Sequence, residues 1–202
     1  EGLIIKTSID TNMQTVAENS LIKGLINYDK KQGWRGPVAN LLEANLSLSD
    51  FVKITKNPFP KKWFLGEVNK KIENKLFLTN QSKVSFEIDL LEKNNKWIKN
   101  EKFKKGDVLF LEKKDLNYII RQVPEANGGI IVLDPHSGDI KAMSGGFSFK
   151  LSQFNRSTQA KRQPGSAFKP IVYAAALESG YMPNSLILDA PFVSEQGAGL
   201  KD

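Results

Sequence analysis

The chain has 202 residues, 40% hydrophobic and 25% charged, a mix that supports a packed core under a solvated surface. It contains no cysteine and one histidine, His136, which excludes a Cys/His zinc site and a thiol nucleophile. Lysine and arginine (29) outnumber aspartate and glutamate (22), a formal charge of +7 that would attract an anionic partner or simply solvate the surface, and no run of about 18 apolar residues is present to span a bilayer.

The first region runs to about Pro37. Leu3 to Ile9 alternates enough to predict a strand, and Asp10 or Thr11 is the expected N-cap of a helix. Met13, Val16, Ala17, Leu21, Gly24, Leu25 and Tyr28 fall on one face of that helix, which should stop before Gly33. The N-terminus lacks the charged and apolar layout of a signal peptide, so an export signal or anchor is expected outside this chain.

The second region, 38–123, reads as short strands around Phe51–Ile54, Trp63–Val68, Lys75–Thr79, Val84–Ile88, Val108–Leu111 and Tyr118–Arg121. Pro58, Pro60, Asn94-Asn95 and Gly106-Asp107 punctuate them, and the pattern predicts a small barrel or sandwich. The third region, 124–202, opens with a β-hairpin. Its strands are Ile130–Leu133 and Asp139–Met143, its turn is Asp134-Pro135-His136-Ser137-Gly138, and Gly145-Gly146 closes it. His136 is therefore expected to be an exposed turn residue with no catalytic role.

A helix follows, from Gln163-Pro164-Gly165-Ser166-Ala167-Phe168-Lys169-Pro170 through Ile171–Leu177, with Gly180 as its stop. Proline lacks an N–H, so inside a helix it belongs in the first turn, where the N–H groups have no partner. Pro170 thus sets the helix start at Ser166 or just after, with Ser166 and Lys169 on one face of the opening turn. A serine hydroxyl becomes a good nucleophile when a base takes its proton, and a desolvated lysine can be that base. The partial positive charge of a helix N-terminus favours a developing oxyanion, and Gly165 leaves room beside the serine. Taken alone, Ser-x-x-Lys is a weak signal, equally met by a capping serine and a solvated lysine.

Its surroundings make it specific. Gly129–Pro135 through Gly145-Gly146, Phe154–Ser166, and Thr7-Ser8-Ile9-Asp10 with Met13-Gln14 resemble the transpeptidase domain of class A penicillin-binding proteins, and together cover about half of the chain. The 1A type of that family has an OB-like insert at the place of the strand-rich region. The implied fold is α+β: a partial penicillin-binding transpeptidase (serine β-lactamase-like) domain interrupted by a small OB-like β-barrel. Residues 1–37 would supply its first strand and helix, 38–123 the insert, and 124–202 the part with the nucleophile helix. The resemblance implies D,D-transpeptidation by a bifunctional glycosyltransferase/transpeptidase. Ser166 would be nucleophile, Lys169 general base, and the Ser166 backbone N–H one half of the oxyanion hole, with no metal or cofactor. Expected partners are peptidoglycan stem peptides, β-lactam antibiotics and, through the insert, cell-wall proteins, but not nucleic acid. The implied location is the extracytoplasmic face of the inner membrane, through an anchor outside this chain.

No Ser-x-Asn and no Lys-Thr-Gly or Lys-Ser-Gly follows Ser166, so the chain is expected to be a fragment inactive by itself. Two other readings are open. One is a serine β-lactamase or β-lactam sensor, which shares Ser-x-x-Lys. The other is an OB-like binding module that uses Phe59, Trp63, Phe64, Phe77, Phe86, Trp97 and Phe103 with its lysines to hold single-stranded nucleic acid, peptidoglycan or a partner protein.

Overall fold

A computed structural model describes residues 2–55, 62–98 and 101–190. The chain divides into two compact units at Ala160/Lys161. The first unit begins with helix α1, Thr11–Gln32, capped by Asp10, whose carboxylate accepts from the Met13 N–H at 2.8 Å. Its buried stripe is Ala17, Leu25, Ile26 and Asp29, while Met13, Val16 and Tyr28 of the expected face are exposed. No described helix is long and apolar enough to cross a membrane.

The expected strand over 3–9 is not formed, and Leu3, Ile4 and Ile5 are almost fully exposed. The hairpin of β7 (Ile130–Leu133) and β8 (Ile140–Ser144) is, among the described residues, a sheet of two strands. The open edge of β8 is occupied by other groups: Ser8 Oγ donates to Ile140 O (2.9 Å) and Asp10 N–H to Lys141 O (2.9 Å). The Gln14 side-chain amide then donates to Met143 O (2.8 Å) and accepts from Met143 N–H (2.9 Å), imitating a peptide group of a neighbouring strand. A side chain on α1 thus supplies the pairing expected from a strand.

Among the described residues the larger sheet has six strands: β1 (Ala39–Asn40), β2 (Trp63–Ile72), β3 (Lys75–Asn80), β4 (Ser85–Asp89), β5 (Asp107–Lys114) and β6 (Asn117–Arg121). All its pairs are antiparallel, in the order β1-β5-β2-β3-β4, with β6 also on β5. Two short helices, α2 (Leu41–Ala44) and α3 (Leu48–Thr55), lie between β1 and β2. The strand expected at Phe51–Ile54 is therefore wrong, since those residues lie in α3. Ser47 decides the matter locally: its Oγ accepts from Asp50 N–H (3.2 Å) and donates to Asp50 Oδ2 (2.6 Å), a capping arrangement.

Both faces of β5 are covered. Val108 and Phe110 point into one core with Leu25, Ile26, Trp63, Leu65 and Phe147, while Leu109 and Leu111 join a second core with Val68, Leu76, Leu78, Ile88 and Ile120. That is why Val108–Leu111 is an unbroken apolar run and does not alternate. The first core also joins the sheet to α1 and to Phe147 beyond the hairpin. Among the described residues no backbone ladder joins β4 to β6, so the sheet is not closed into a barrel by strand pairing. Side chains bridge that gap. Phe86 of β4 stacks on Tyr118 of β6 at 4.3 Å, and Asn95 donates to Asp89 O (3.2 Å) and Tyr118 O (3.0 Å) while accepting from the Ile120 N–H (3.0 Å).

The chain leaves α1 and returns from β6 through one polar knot. Buried Asp29 accepts from Arg35 (2.8 and 3.1 Å), Gln122 (2.8 Å) and the Glu125 N–H (3.2 Å), and Arg35 also donates to Val123 O (2.6 Å). Burial raises the Asp29 pKa, but the hydrogen bonds from Arg35, Gln122 and Glu125 outweigh it and hold the carboxyl below its ordinary range.

Candidate active site

The second unit carries the Ser-x-x-Lys pair. Gly165–Phe168 forms one 3₁₀ turn and runs directly into α4, Lys169–Glu178, with Pro170 in its first turn and Gly180 at φ +88 beyond its end. The helix therefore starts where the proline requires, preceded by the tighter turn that holds Ser166. In a 3₁₀ turn residues i and i+3 eclipse, and the Lys169 N–H donates to Ser166 O, so the two residues share one side of the junction. Gly165 has φ +52, and a Cβ built there meets nothing within 4 Å, so the need for glycine at this position is one of backbone conformation more than of space. The Ala167 N–H turns back to Pro164 O (3.1 Å), whereas among the described residues the Ser166 N–H donates to no backbone carbonyl. Ser166 and Lys169 are both exposed, and no residue of α4 is buried.

The first unit holds the segment preceding that turn in the sequence. Asn155, Arg156 and Ser157 fasten onto the end of the hairpin: the Arg156 N–H donates to Gly145 O (3.0 Å), and Ser157 Oγ donates to Ser144 O (2.9 Å) and more weakly to Ile130 O (3.3 Å). Asn155 Oδ1 accepts from the Ser157 N–H at 3.0 Å and fixes the turn between them. A Cβ on Gly145 would collide with Asn155, whose Cα lies 2.6 Å from that position. Sequence reasoning used Gly145-Gly146 and Asn155-Arg156-Ser157 separately and missed that they form one joint. The only signal was their mutual presence, since close approach of two backbones leaves no periodicity to read. A cleft beside this joint is lined by Met143, Gly145, Phe149, Ser152 and Phe154.

His136 sits in the hairpin turn, exposed, and the Asp134 carboxylate accepts from the His136 N–H (2.9 Å) and the Ser137 N–H (3.2 Å). Those two bonds hold the Asp134 pKa below its ordinary value. Of the aromatics offered as a nucleic-acid platform, Trp63 is buried in the first core, while Phe64, Phe86, Trp97 and Phe103 pack against the second. Phe77 lies under the Lys70 ammonium (4.9 Å), and Phe59 falls outside the described residues.

Residues 128–202 match the family described as the penicillin binding protein transpeptidase domain. Nearly the whole chain (98%) aligns with penicillin-binding protein 1A of Rickettsia prowazekii at 41% identity, covering 26% of that protein. Penicillin-binding protein 1A of Pseudomonas aeruginosa is 30% identical over 96% of the chain and 25% of its own length. The chain thus spans about a quarter of the relatives it matches. The crystal structure of penicillin-binding protein 1A from Haemophilus influenzae superposes with a TM-score of 0.77 at 29% identity, over 96% of this chain and 30% of that one.

Proposed function

As this chain belongs to the class A penicillin-binding proteins of the 1A type, we propose that the protein is a peptidoglycan D,D-transpeptidase of the bifunctional kind, with Ser166 as nucleophile and Lys169 as general base. The observation that carries this reading is the Ser166-Ala167-Phe168-Lys169 junction, a 3₁₀ turn opening into α4, inside the stretch that matches the transpeptidase domain. Ser166 Oγ attacks the carbonyl of the penultimate D-Ala of a stem peptide, and its proton passes to Lys169. The Ser166 N–H donates to the oxyanion that forms. The C–N bond then breaks, the proton goes to the departing D-Ala amine, and Ser166 is left as an ester. An amine on a neighbouring strand attacks that ester, its proton returns through Lys169, and Ser166 Oγ is released with a new amide formed. A β-lactam acylates the same oxygen by opening its ring, and because no amine leaves, the ester persists. The protein works at the extracytoplasmic face of the membrane, where its substrate lies.

Labelling of the complete protein with fluorescent penicillin tests the assignment. The label is expected on Ser166 and is abolished by Ser166→Ala. Lys169→Ala should slow acylation by about 10²–10⁴-fold, the usual contribution of a general base. Undiminished labelling of the Ser166→Ala protein refutes the nucleophile, and rapid turnover of the bound penicillin would instead favour a β-lactamase.

A further inference from the structure

The positive charge of this chain is concentrated. Residues 92–105 hold six lysines, two glutamates and no arginine. The described part of this stretch lies against the C-terminal end of α1, where Lys30 Nζ donates to Asn94 O (3.3 Å) and sits 5.3 Å over the Trp97 ring. Trp97 meets Trp34 edge-on at 5.4 Å, Trp34 contacts Phe103 at 6.2 Å, and Lys71 Nζ donates to Glu101 O at 2.8 Å. The rings form a half-buried aromatic floor, and Lys31, Lys93, Lys96, Lys102 and Lys105 near them in the chain are exposed, with Lys102 also lining a cleft that contains Glu43 and Asp107. Of the described lysines here only Lys104 is paired with a carboxylate, Glu43 at 3.9 Å.

We infer that this face, centred on Lys93, Lys96 and Lys102 beside Trp34 and Trp97, docks the carboxylate-bearing strands of peptidoglycan and so keeps the polymer beside the enzyme that cross-links it. The inference rests on the reading of the protein as a transpeptidase. A stem peptide that ends in D-Ala presents a free carboxylate, and the polymer repeats it along its length, so an unpaired field of lysines is its electrostatic complement. Lysine is a point charge on a flexible stem without the fork of arginine, which suits carboxylates arriving in many positions more than one fixed planar group. Single-stranded nucleic acid shares the sign of charge but needs free aromatic faces on which bases stack. Here the ring of Trp97 is engaged by Lys30 and Trp34, and Trp34 also by Phe103.

The test is co-sedimentation of the 202-residue chain with purified insoluble peptidoglycan at low and physiological salt. The triple variant Lys93→Gln/Lys96→Gln/Lys102→Gln should bind about ten-fold more weakly, and Lys53→Gln/Lys83→Gln/Lys150→Gln, which removes the same charge elsewhere, less than about two-fold, with both keeping the wild-type circular dichroism. Amidating the carboxylates of the peptidoglycan should abolish the difference between the wild type and the first variant. Equal losses in the two variants, or unchanged binding to amidated peptidoglycan, overturn the proposal. Single-stranded DNA that binds as tightly at physiological salt and displaces peptidoglycan overturns it in favour of nucleic acid. Penicillin labelling of Ser166 in the complete protein reports on the transpeptidase reading separately and should be the same in both triple variants.

Discussion

The sheet between Ala39 and Arg121 and the helix α4 bury their apolar residues to opposite degrees. In β5, Val108, Leu109 and Leu111 are wholly inaccessible and Phe110 nearly so, because both faces of the strand are covered. In α4 nothing is buried, and Ile171, Val172, Tyr173 and Leu177 are all more than half exposed. Yet the residues with the most recognisable chemistry stand at the start of α4. The sheet is held by long-range burial, while the Ser-x-x-Lys junction is shaped by backbone rules that act within a few residues: a glycine at positive φ, a 3₁₀ turn, and a proline in the first helical turn.

The comparison is broken most directly by truncating the sheet. Leu78→Ala or Leu111→Ala should each lower the stability of the chain by about 2–5 kcal/mol, read from urea titrations followed by tryptophan fluorescence. Both side chains are completely buried in the second core. A loss below about 1 kcal/mol would mean that the core relaxes around the cavity and that the sheet is no more tightly held than α4.

A smaller effect is expected where side chains replace strand pairing. Asn95→Ala removes three hydrogen bonds and leaves the buried Ile120 N–H without its acceptor, at a cost of about 1–3 kcal/mol. Asn95→Asp keeps the acceptor but loses both donated bonds, so it should be destabilising as well. A neutral Asn95→Ala would show that the stacking of Phe86 on Tyr118 suffices to hold β4 to β6.

What the sequence disclosed follows the same division. The hairpin of β7 and β8 and the N-cap at Asp10, one of two candidates, rest on local turn and cap chemistry and were legible, and Pro170 placed the start of α4 to within a turn: the α-helix begins at Lys169, with Ser166 in the 3₁₀ turn before it. So were β2 to β6 as elements, because β-branched and aromatic runs between turns mark strands wherever they pair. The strand at 3–9 failed because alternation shows that a segment can be a strand but not that an edge is free: the edge of β8 is taken by Asp10 and the Gln14 side chain, and of the segment itself Ser8 reaches it through its hydroxyl. The strand at Phe51–Ile54 failed because the Ser47–Asp50 cap was passed over in favour of β-branched composition. At the candidate site, the assignment of Ser166 and Lys169 was drawn from their spacing together with the resemblance of the surrounding stretch, while the joint of Gly145 with Asn155 could not be read, since it depends on two backbones meeting.

Charge sharpens the comparison next. Lys30, at the end of α1 beside the sheet, is half-buried, and desolvation lowers its pKa to about 8, helped by the Arg121 charge and opposed by Glu112. A lysine whose folded pKa is depressed disfavours the folded state while it is charged. That penalty is complete below pH 8 and disappears as pH rises from 8 towards the ordinary 10.5. Lys30→Met should therefore be the more stable protein near pH 7, by less than about 1 kcal/mol given the partial exposure, and its advantage should shrink between pH 8 and 10.5. Paired melting temperatures across that range measure it. An advantage that stays constant with pH would assign the effect to packing of the methionine and not to charge.

The smallest effect is expected in α4 itself. Leu177→Ala removes as many carbon atoms as Leu78→Ala, but from a side chain that is 53% exposed, so little transfer free energy is lost and no cavity is left. Alanine is also the better helix former, which offsets part of what remains. The change in stability of this chain should lie within about 0.5 kcal/mol, at least four-fold below that at Leu78. Hydrogen exchange gives a second measure that does not depend on a cooperative transition. A ten-residue helix is too short to be stable by propensity alone, so the α4 amides should exchange orders of magnitude faster than those of Val108–Leu111 in β5. Slow exchange in α4 together with a multi-kilocalorie loss for Leu177→Ala would show that this helix is held as firmly as the sheet, and the contrast drawn from burial would fail. Fast exchange with a neutral Leu177→Ala would mean that, in this chain, the serine and its lysine stand on a helix still free to be ordered by whatever covers Ile171, Tyr173 and Leu177.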